Sequence, residues 1–436
     1  MTRARLTAFF LILLCAGAPP AFAQGAGLEI QSATDTSRYI FSTLFLLISG
    51  ILVMFMAAGF CMREAGLGRA KNAGTICLKN IAVYSIAGLM VWLVGYNLIY
   101  GVEKGGLLGA FAIWGADDSD PLATGRAASA DWHFQMVFVA MAALIVSGAL
   151  AERVKLWSFL IFTALLTGII YPIEAGWEWG GGYLDAAWSF SDFAGSTLVH
   201  STGGWAALAG ALVLGPRLGK YEHGETRQAP GSNLPLAVLG TFILWLGWFG
   251  FNGGAQLALG AIPDAIAVAN IFVNTNSAAS AGVVTAMALT QIIYKKIDLA
   301  VVLNGAIGGL VSITGEPLAP TIAQAVLIGA IGGVIVTVAV PMLDRLKIVD
   351  VVGAIPAHLF CGVWGTIIVP WSNSEASFFG QLVGVMMIGA FVFVLSLLVW
   401  LALKYTLGVR VAPEHERFGL DRVELGLEAY PEFSQG

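Results

Sequence analysis

Charge is what this sequence has least of: 22 Lys and Arg with 27 Asp and Glu make up only 11% of its 436 residues, against 58% hydrophobic. Ordinary soluble domains carry roughly a quarter of their residues charged, so water is not the main solvent of this chain. Basic clusters are missing as well, and with a net charge of -5 there is no electrostatic footprint for nucleic acid. Cysteine is scarce. Cys15 falls in the first apolar stretch, and Cys61, Cys77 and Cys361 stand singly in or beside apolar runs, which excludes a disulfide framework and a zinc pattern. Alternating apolar and polar strands of about ten residues are also lacking, and that excludes a membrane β-barrel.

What remains is a succession of apolar runs long enough to cross a hydrocarbon core of about 30 Å as helices. Lipid offers the backbone no hydrogen bonds, so a helical bundle follows. Eleven spans are expected at 39–61, 73–101, 132–151, 155–174, 194–215, 233–253, 265–293, 298–314, 321–341, 351–370 and 378–405. Ahead of them, Arg3 and Arg5, an apolar stretch from Leu6 to Cys15, and Ala21-Phe22-Ala23 have the order of a secretory leader with its cleavage site. The expected division is a signal peptide at 1–23, a transmembrane domain at 24–408 and a tail at 409–436. An odd number of spans puts the termini on opposite sides. Arg63, Arg69, Lys71, Arg153, Lys155, Arg217, Lys220, Lys295, Lys296, Arg345 and Lys347 fall in alternate loops with Arg410 in the tail. That bias places the N-terminus outside and the C-terminus in the cytoplasm of the cell inner (plasma) membrane. Outer loops are acidic instead, with Asp117, Asp118, Asp120, Asp131, Glu174, Glu178, Asp185 and Asp192. They are either solvated loops or a mouth that concentrates small cations.

Five histidines are present, and only His200 and His358 lie deep in apolar spans. Ionisable groups there are costly and mark a functional path or a partner. The plainer alternative is a hydrogen bond from each to a neighbouring carbonyl. Both read His-x-x-x-Gly, through Gly204 and Gly362, and they sit five spans apart. A five-helix repeat would therefore be inverted, with the site between the halves. Small-residue ladders accompany them, Gly203-Ala207-Ala211-Gly215 and Gly353-Ala357-Cys361-Gly365, which let helices approach closely. No third ligand stands at metal spacing, so neither metal nor cofactor is expected and the chain is not read as an enzyme. Aromatics gather at one membrane face, in Phe134 to Phe138, Trp177-Glu178-Trp179 and Trp248-Phe249-Gly250-Phe251-Asn252. They form either an interfacial belt or a cation-π mouth with an apolar gate.

Several stretches, in order, resemble the Amt/Mep/Rh ammonium transporter family, and its Amt branch closely. They are Gly148-Ala149-Leu150-Ala151-Glu152-Arg153, Asp192 to His200, Gly247 to Asn252, Phe272-Val273-Asn274-Thr275, Gly408-Val409-Arg410-Val411 and Glu428-Ala429-Tyr430-Pro431. The resemblance covers essentially the mature chain. It implies an all-α integral membrane fold of eleven helices, a five-plus-five inverted repeat plus one bracing helix, assembled as a homotrimer with a pore in each subunit. It assigns the twin pore histidines to His200 and His358, the phenylalanine gate to Phe138 and Phe251, and the recruiting tryptophan to Trp179. Phe138 and Thr275 join Trp179 in ammonium recruitment, while Asp192, Phe134 and Trp248 support the outer site. A PII signalling protein at the cytoplasmic face is a possible partner by the same resemblance. One departure stands out: Asn252-Gly253-Gly254-Ala255 puts alanine where the family often has a recruiting serine. Thr275 or Asn276 is the available substitute, and Glu174 or Glu178 an alternative source of charge.

The expected function is ammonium or ammonia transport through a hydrophobic twin-histidine pore, with deprotonation at the outer aromatic site. Potassium cannot shed its charge and faces a penalty of many kcal/mol in an apolar constriction. A proton that follows through the histidines makes transport electrogenic; one that returns outside makes the pore a channel for the neutral gas. The residues leave both open. Two competing readings are an ammonium sensor signalling through its cytoplasmic tail and a membrane metalloenzyme. The first is disfavoured by the lack of an output domain after the tail, the second by the missing ligands.

Overall fold

The computed structural model describes residues 33–222, 225–227 and 230–433. The leader expected at 1–23 and His223 lie outside them. Eleven apolar helices cross the described structure, nine of 18 residues or more and two shorter. They are α1 (Thr34–Leu67), α2 (Ala70–Tyr100), α3 (Pro121–Leu150), α4 (Leu156–Gly176), α5 (Ser196–Leu214), α6 (Leu234–Gly254), α7 (Ile262–Tyr294), α8 (Leu299–Thr314), α9 (Ile322–Arg345), α10 (Ile355–Trp371) and α11 (Phe378–Thr406). Each overlaps its expected span. The departure from an all-helical chain is a minimal hairpin between α5 and α6, Tyr221–Glu222 against Glu225–Thr226.

Helix starts are marked by side chains that take up orphan backbone donors. Asn233 accepts from Leu236 N at α6, Asp298 from Val301 N at α8 and Ser377 from Gly380 N at α11. Thr321 and Gln324 form a reciprocal pair at α9. Depth separates the helices thereafter. Helix α3 is almost wholly buried and is hydrophobic on every side, as a central helix must be, whereas α7 and α11 bury only about a third of their residues or fewer. Those outer faces are suited to lipid or to another apolar surface.

Glycine sets how near the helices come. A Cβ on Gly240 of α6 would stand 2.4 Å from Arg63 N of α1, and one on Gly329 of α9 would stand 2.0 Å from Ala278 O of α7. The two halves, α1–α5 and α6–α10, meet along α1 with α6 and α5 with α10. Helix α11 braces the first half from outside, with Trp400 stacked on Phe162 of α4 at 4.1 Å. The expected ladders are only partly packing devices. Gly203 and Gly365 abut the backbones of α3 and α8, but Gly215 and Gly353 have φ of 73° and 74° and serve as turn residues. A β-carbon disfavours that left-handed region.

Candidate functional site

The two deep histidines are presented by the same local device, once in each half. At the start of α5, the Asp192 carboxylate accepts from four successive backbone N–H groups: Gly195 (3.1 Å) and Ser196 (2.7 Å) on Oδ1, Thr197 (2.7 Å) and Leu198 (2.9 Å) on Oδ2. Gly195 has φ of 101°, and the turn Ser196–Ser201 that follows is wound as a π-helix ending beside His200. At α10, Asp350 accepts from Val352 (3.2 Å), Gly353 (2.9 Å) and Ile355 (2.6 Å), Gly353 is left-handed, and Ile355–Phe360 is again a π-helix carrying His358. Each aspartate stands eight residues before its histidine, with a glycine three residues after it. Wider π turns of this kind are a recurrent feature of functional sites. Burial raises both carboxyls; the backbone N–H groups work against it, and Asp192 is pushed up to about 6.

The His-x-x-x-Gly echo has a mutual cause. A Cβ on Gly204 would lie 2.6 Å from Leu359 Cβ, and one on Gly362 would lie 2.2 Å from Ser196 O and 3.1 Å from Ser201 N. Leu359 and Ser201 directly follow the two histidines. Each glycine thus makes room for the other half's histidine turn. The result is a pair of buried rings with His200 Nδ1 and His358 Nδ1 3.2 Å apart.

A file of aromatic rings leads to this pair. Trp179 meets Phe138 edge-on at 5.9 Å, Phe138 stacks on Phe251 at 4.0 Å, Phe251 lies 5.3 Å from His200, and His200 lies 5.2 Å from His358. Phe60 of α1 continues it beyond His358 at 6.1 Å. Trp248 is a wall rather than a mouth residue: it stacks on His200 at 4.8 Å and donates Nε1–H to Thr314 Oγ1 at 2.8 Å. Phe134 packs edge-on against Phe138 at 4.8 Å. Thr275 is buried and its hydroxyl accepts from Asn252 Nδ2 at 3.0 Å, next to Phe251. Asn276 is exposed on α7. Ala255 caps the end of α6 and packs against the core.

Glu174 and Glu178 do not open into the mouth. Glu178 Oε1 accepts from Asp192 N at 3.0 Å, and Glu174 Oε1 accepts from Thr202 Oγ1 at 3.1 Å. Trp179 donates Nε1–H to Asp192 O at 3.0 Å, so neighbouring side chains hold Asp192 from both sides of its backbone. No group of three His, Cys, Asp or Glu able to hold a metal ion occurs among the described residues.

On the opposite face, Glu152 and Arg153 tie the loops together. Glu152 is left-handed at φ 72° and accepts from Arg69 Nε and Arg217 Nη1, each at 2.8 Å. Arg153 is fully buried and donates to Gly215 O at 2.9 Å and Val349 O at 2.6 Å. The tail lies along this face. Lys155 N donates to Val409 O and Val411 N to Arg153 O, while the Asp421 carboxylate accepts from Gly74 N at 2.9 Å and Thr75 N at 2.7 Å, seating itself at the start of α2.

Of the residues singled out in the sequence, His200, His358, Phe138, Phe251 and Trp179 fall in one file. Asp350, Phe60 and Thr314 were not among them. The repeated Asp-x-x-Gly-x-x-x-x-His pattern was the available signal for Asp350; nothing comparable pointed to Phe60.

Comparison with known proteins agrees with this architecture. The Ammonium Transporter Family matches residues 44–430. Ammonium transporter Amt2 of Archaeoglobus fulgidus is 38% identical, covering 97% of this chain and 94% of its own. Ammonium transporter Amt1 of Methanocaldococcus jannaschii is 33% identical over 89% of this chain and 96% of its own. Among solved structures, a protein titled Sensor Amt Protein superposes with a TM-score of 0.83 at 34% identity, covering 89% of this chain and 99% of its own. Candida albicans Mep2 shares the fold, with a TM-score of 0.79 at 23% identity over 88% and 89% of the two chains. The chain belongs to the ammonium transporter family, whose members are multi-pass membrane transporters and not enzymes.

Proposed function

We propose that this family member moves ammonium nitrogen along the ring file from Trp179 to His358, each chain carrying its own pore. Ammonium gathers over Trp179 and Phe138, where a cation facing aromatic rings gains about 1 kcal/mol or more once desolvated. It sheds a proton on the way past the stacked Phe138–Phe251 pair, and ammonia crosses the apolar constriction beside His200 and His358. The observation that carries this reading is the histidine contact itself, two buried rings joined at 3.2 Å at the end of a continuous aromatic file. A cation that cannot shed its charge, such as potassium, meets a low-dielectric wall at that point. Asp192, Phe134 and Trp248 shape the file, and the buried Thr275 hydroxyl joins Trp179 and Phe138 in recruitment.

The acidic, aromatic end faces outward in this reading, and the tail face, lined by Arg69, Arg153, Arg217 and Lys71, is cytoplasmic in the plasma membrane. Residues 1–23 are a removed leader, 24–408 the transporting domain and 409–436 a tail. The exposed apolar faces of α1, α6 and α7 suit a homotrimer, and the docked tail suits a PII-type regulator. The seat of Asp421 on α2, together with the sensor title of one structural relative, favours a second reading, in which ammonium occupancy is reported through the tail.

Purified protein in liposomes tests the first reading. Ammonium-triggered flux is expected in the native protein and its loss in the His200→Ala, His358→Ala double variant; undiminished flux in that variant would remove both residues from the path. Replacing His200 by Glu should admit potassium if the apolar pair is the filter. Flux below detection in the native protein, with ammonium binding retained, selects the sensor reading.

A further inference from the structure

Behind Trp179 lies a group of acidic side chains that the transport path does not use. Tyr171, Glu174 and Glu178 stand at helical spacing along the end of α4 and the turn that continues it, which puts them on one face. Tyr171 and Glu174 are at most 1% exposed. Three of their atoms have no hydrogen-bond partner: the Tyr171 hydroxyl, Glu174 Oε2 and Glu178 Oε2. The charged groups that act on the two glutamates are Asp192, Asp185 and, for Glu174, Glu178 itself, all of them acidic. Tyr171 lies within electrostatic reach of Glu174, Asp192 and Glu178.

Among the described residues, the surrounding elements supply no counter-charge to them. From α5 comes the Thr202 hydroxyl, and from the loop before it the Asp192 backbone N–H. From α2 comes Tyr100, which faces Tyr171 and Asp131, and Asp131 of α3 is already paired with Arg126 at 2.7 Å and Tyr96 at 2.6 Å. His200, on the π turn packed against α4, is engaged with His358. Asp192 takes four N–H bonds, which suits an ionised carboxylate. Two further buried carboxylates beside it cannot both carry charge without a cation at hand. Burial, and the charge of Asp192 after it, hold Glu178 well above the usual carboxylate range.

We propose that Glu174 and Glu178 form a proton-binding site, which keeps at least one proton at neutral pH on their orphaned Oε2 atoms and is coupled to the pore through Asp192 and Thr202. The step is a simple protonation: an O–H bond forms on one carboxylate, and its loss returns the proton to water with no other bond changed. Coupling follows from the two hydrogen bonds. Glu178 holds the start of the His200 turn at Asp192 N, and Glu174 holds its end at Thr202 Oγ1. Removing that proton places a further negative charge beside Asp192 and pushes these anchors apart. Both glutamates are positioning residues in this scheme, and the coupling rests on the transport reading given above.

Isosteric glutamine variants separate charge from hydrogen bonding, because a glutamine carbonyl still accepts from Asp192 N and from Thr202. Infrared spectra of the purified protein at neutral pH should show a carboxylic-acid C=O stretch that is lost in the E174Q, E178Q double variant. Flux at fixed ammonium concentration should fall on the alkaline side in the native protein, and that alkaline limb should be lost in the double variant. A spectrum unchanged by the substitutions overturns the proposal, as does retention of sodium, potassium or ammonium by these carboxylates in place of the proton. An alkaline limb that survives in the double variant overturns the coupling. Should native protein carry no flux, the infrared band still decides the proton site, and amide exchange across 192–202 above and below its titration decides the coupling.

Discussion

Gly204 and Leu359 are packed so tightly across the two halves that a methyl group on the glycine would stand 2.7 Å from the leucine backbone nitrogen. Backbone cannot step aside as a flexible side chain can, so the strain must be taken up by α5 and α10 together. Gly204→Ala should cost about 1–3 kcal/mol, the usual range for overpacking a filled core. A detergent-solubilised variant melting at the native temperature would show that the halves slide freely.

The aspartates that start the two histidine turns invite a matched pair of substitutions. Asp350→Ala leaves the N–H groups of Val352, Gly353 and Ile355 without their acceptor. An abandoned buried donor costs about 1–3 kcal/mol. Asp192→Ala, which abandons four, should be destabilised at least as much, and Asn should restore part of the loss at either site. Chemical denaturation of the two variants makes the comparison; Asp350→Ala with native stability would mean that the second turn holds without its cap.

Acid should loosen the face that carries the tail. Burial raises the Glu152 carboxyl, but Arg217 and Arg69 outweigh it and hold it below its ordinary value. A depressed folded-state pKa means that the stabilisation is fully present above the unfolded value of about 4.3. It is lost as pH falls through the lower folded value. The difference in melting temperature between native protein and Glu152→Gln should therefore stay constant from neutrality to about pH 5 and shrink below about pH 4.3. A difference that instead widened in acid would contradict the assignment of Glu152 as the charged partner.

Release of the tail should need only one residue. Asp421 reaches Gly74 N, Thr75 N and Thr75 Oγ1, so Asp421→Ala removes its hold on α2 while leaving the transmembrane packing alone. Limited proteolysis should then cut within 412–430 several times faster at an unchanged melting temperature. Equal cleavage rates would show that the remaining contacts, among them Arg410 with Glu416 at 2.8 Å and Leu420 N with Asn72 Oδ1 at 3.0 Å, hold the tail without Asp421.

Much of this could be read in advance because lipid leaves the chain few choices. The eleven spans followed from run length, the histidines from the expense of burying an imidazole, and the inverted halves from two His-x-x-x-Gly stretches five spans apart together with the family resemblance. Other features were hidden by the kind of signal they give. Phe60 is one apolar residue among many in α1, and only the fold brings it to His358. The glutamates of the Trp177–Trp179 region read either as solvated loops or as a cation-concentrating mouth because a helix periodicity does not say which face turns inward; their carboxylates instead grip the His200 turn. Gly215 and Gly353 look like members of a packing ladder, and only φ distinguishes a turn glycine from a contact glycine.

The contact between the two Nδ1 atoms gives the pair a direction. A neutral imidazole has one N–H, so of two rings sharing an Nδ1–Nδ1 hydrogen bond one is the δ tautomer and its neighbour the ε tautomer. Their remaining Nε2 edges are then unlike: one offers a lone pair and the other a hydrogen. His200 Nε2 has no protein partner. On the proposed path ammonia arriving there would meet either an acceptor or a donor, and passing the shared hydrogen from one Nδ1 to the other within their 3.2 Å contact, with compensating exchange at the Nε2 edges, reverses which ring is which. The constriction is thus a molecule-sized polarity that can be flipped without moving a single heavy atom.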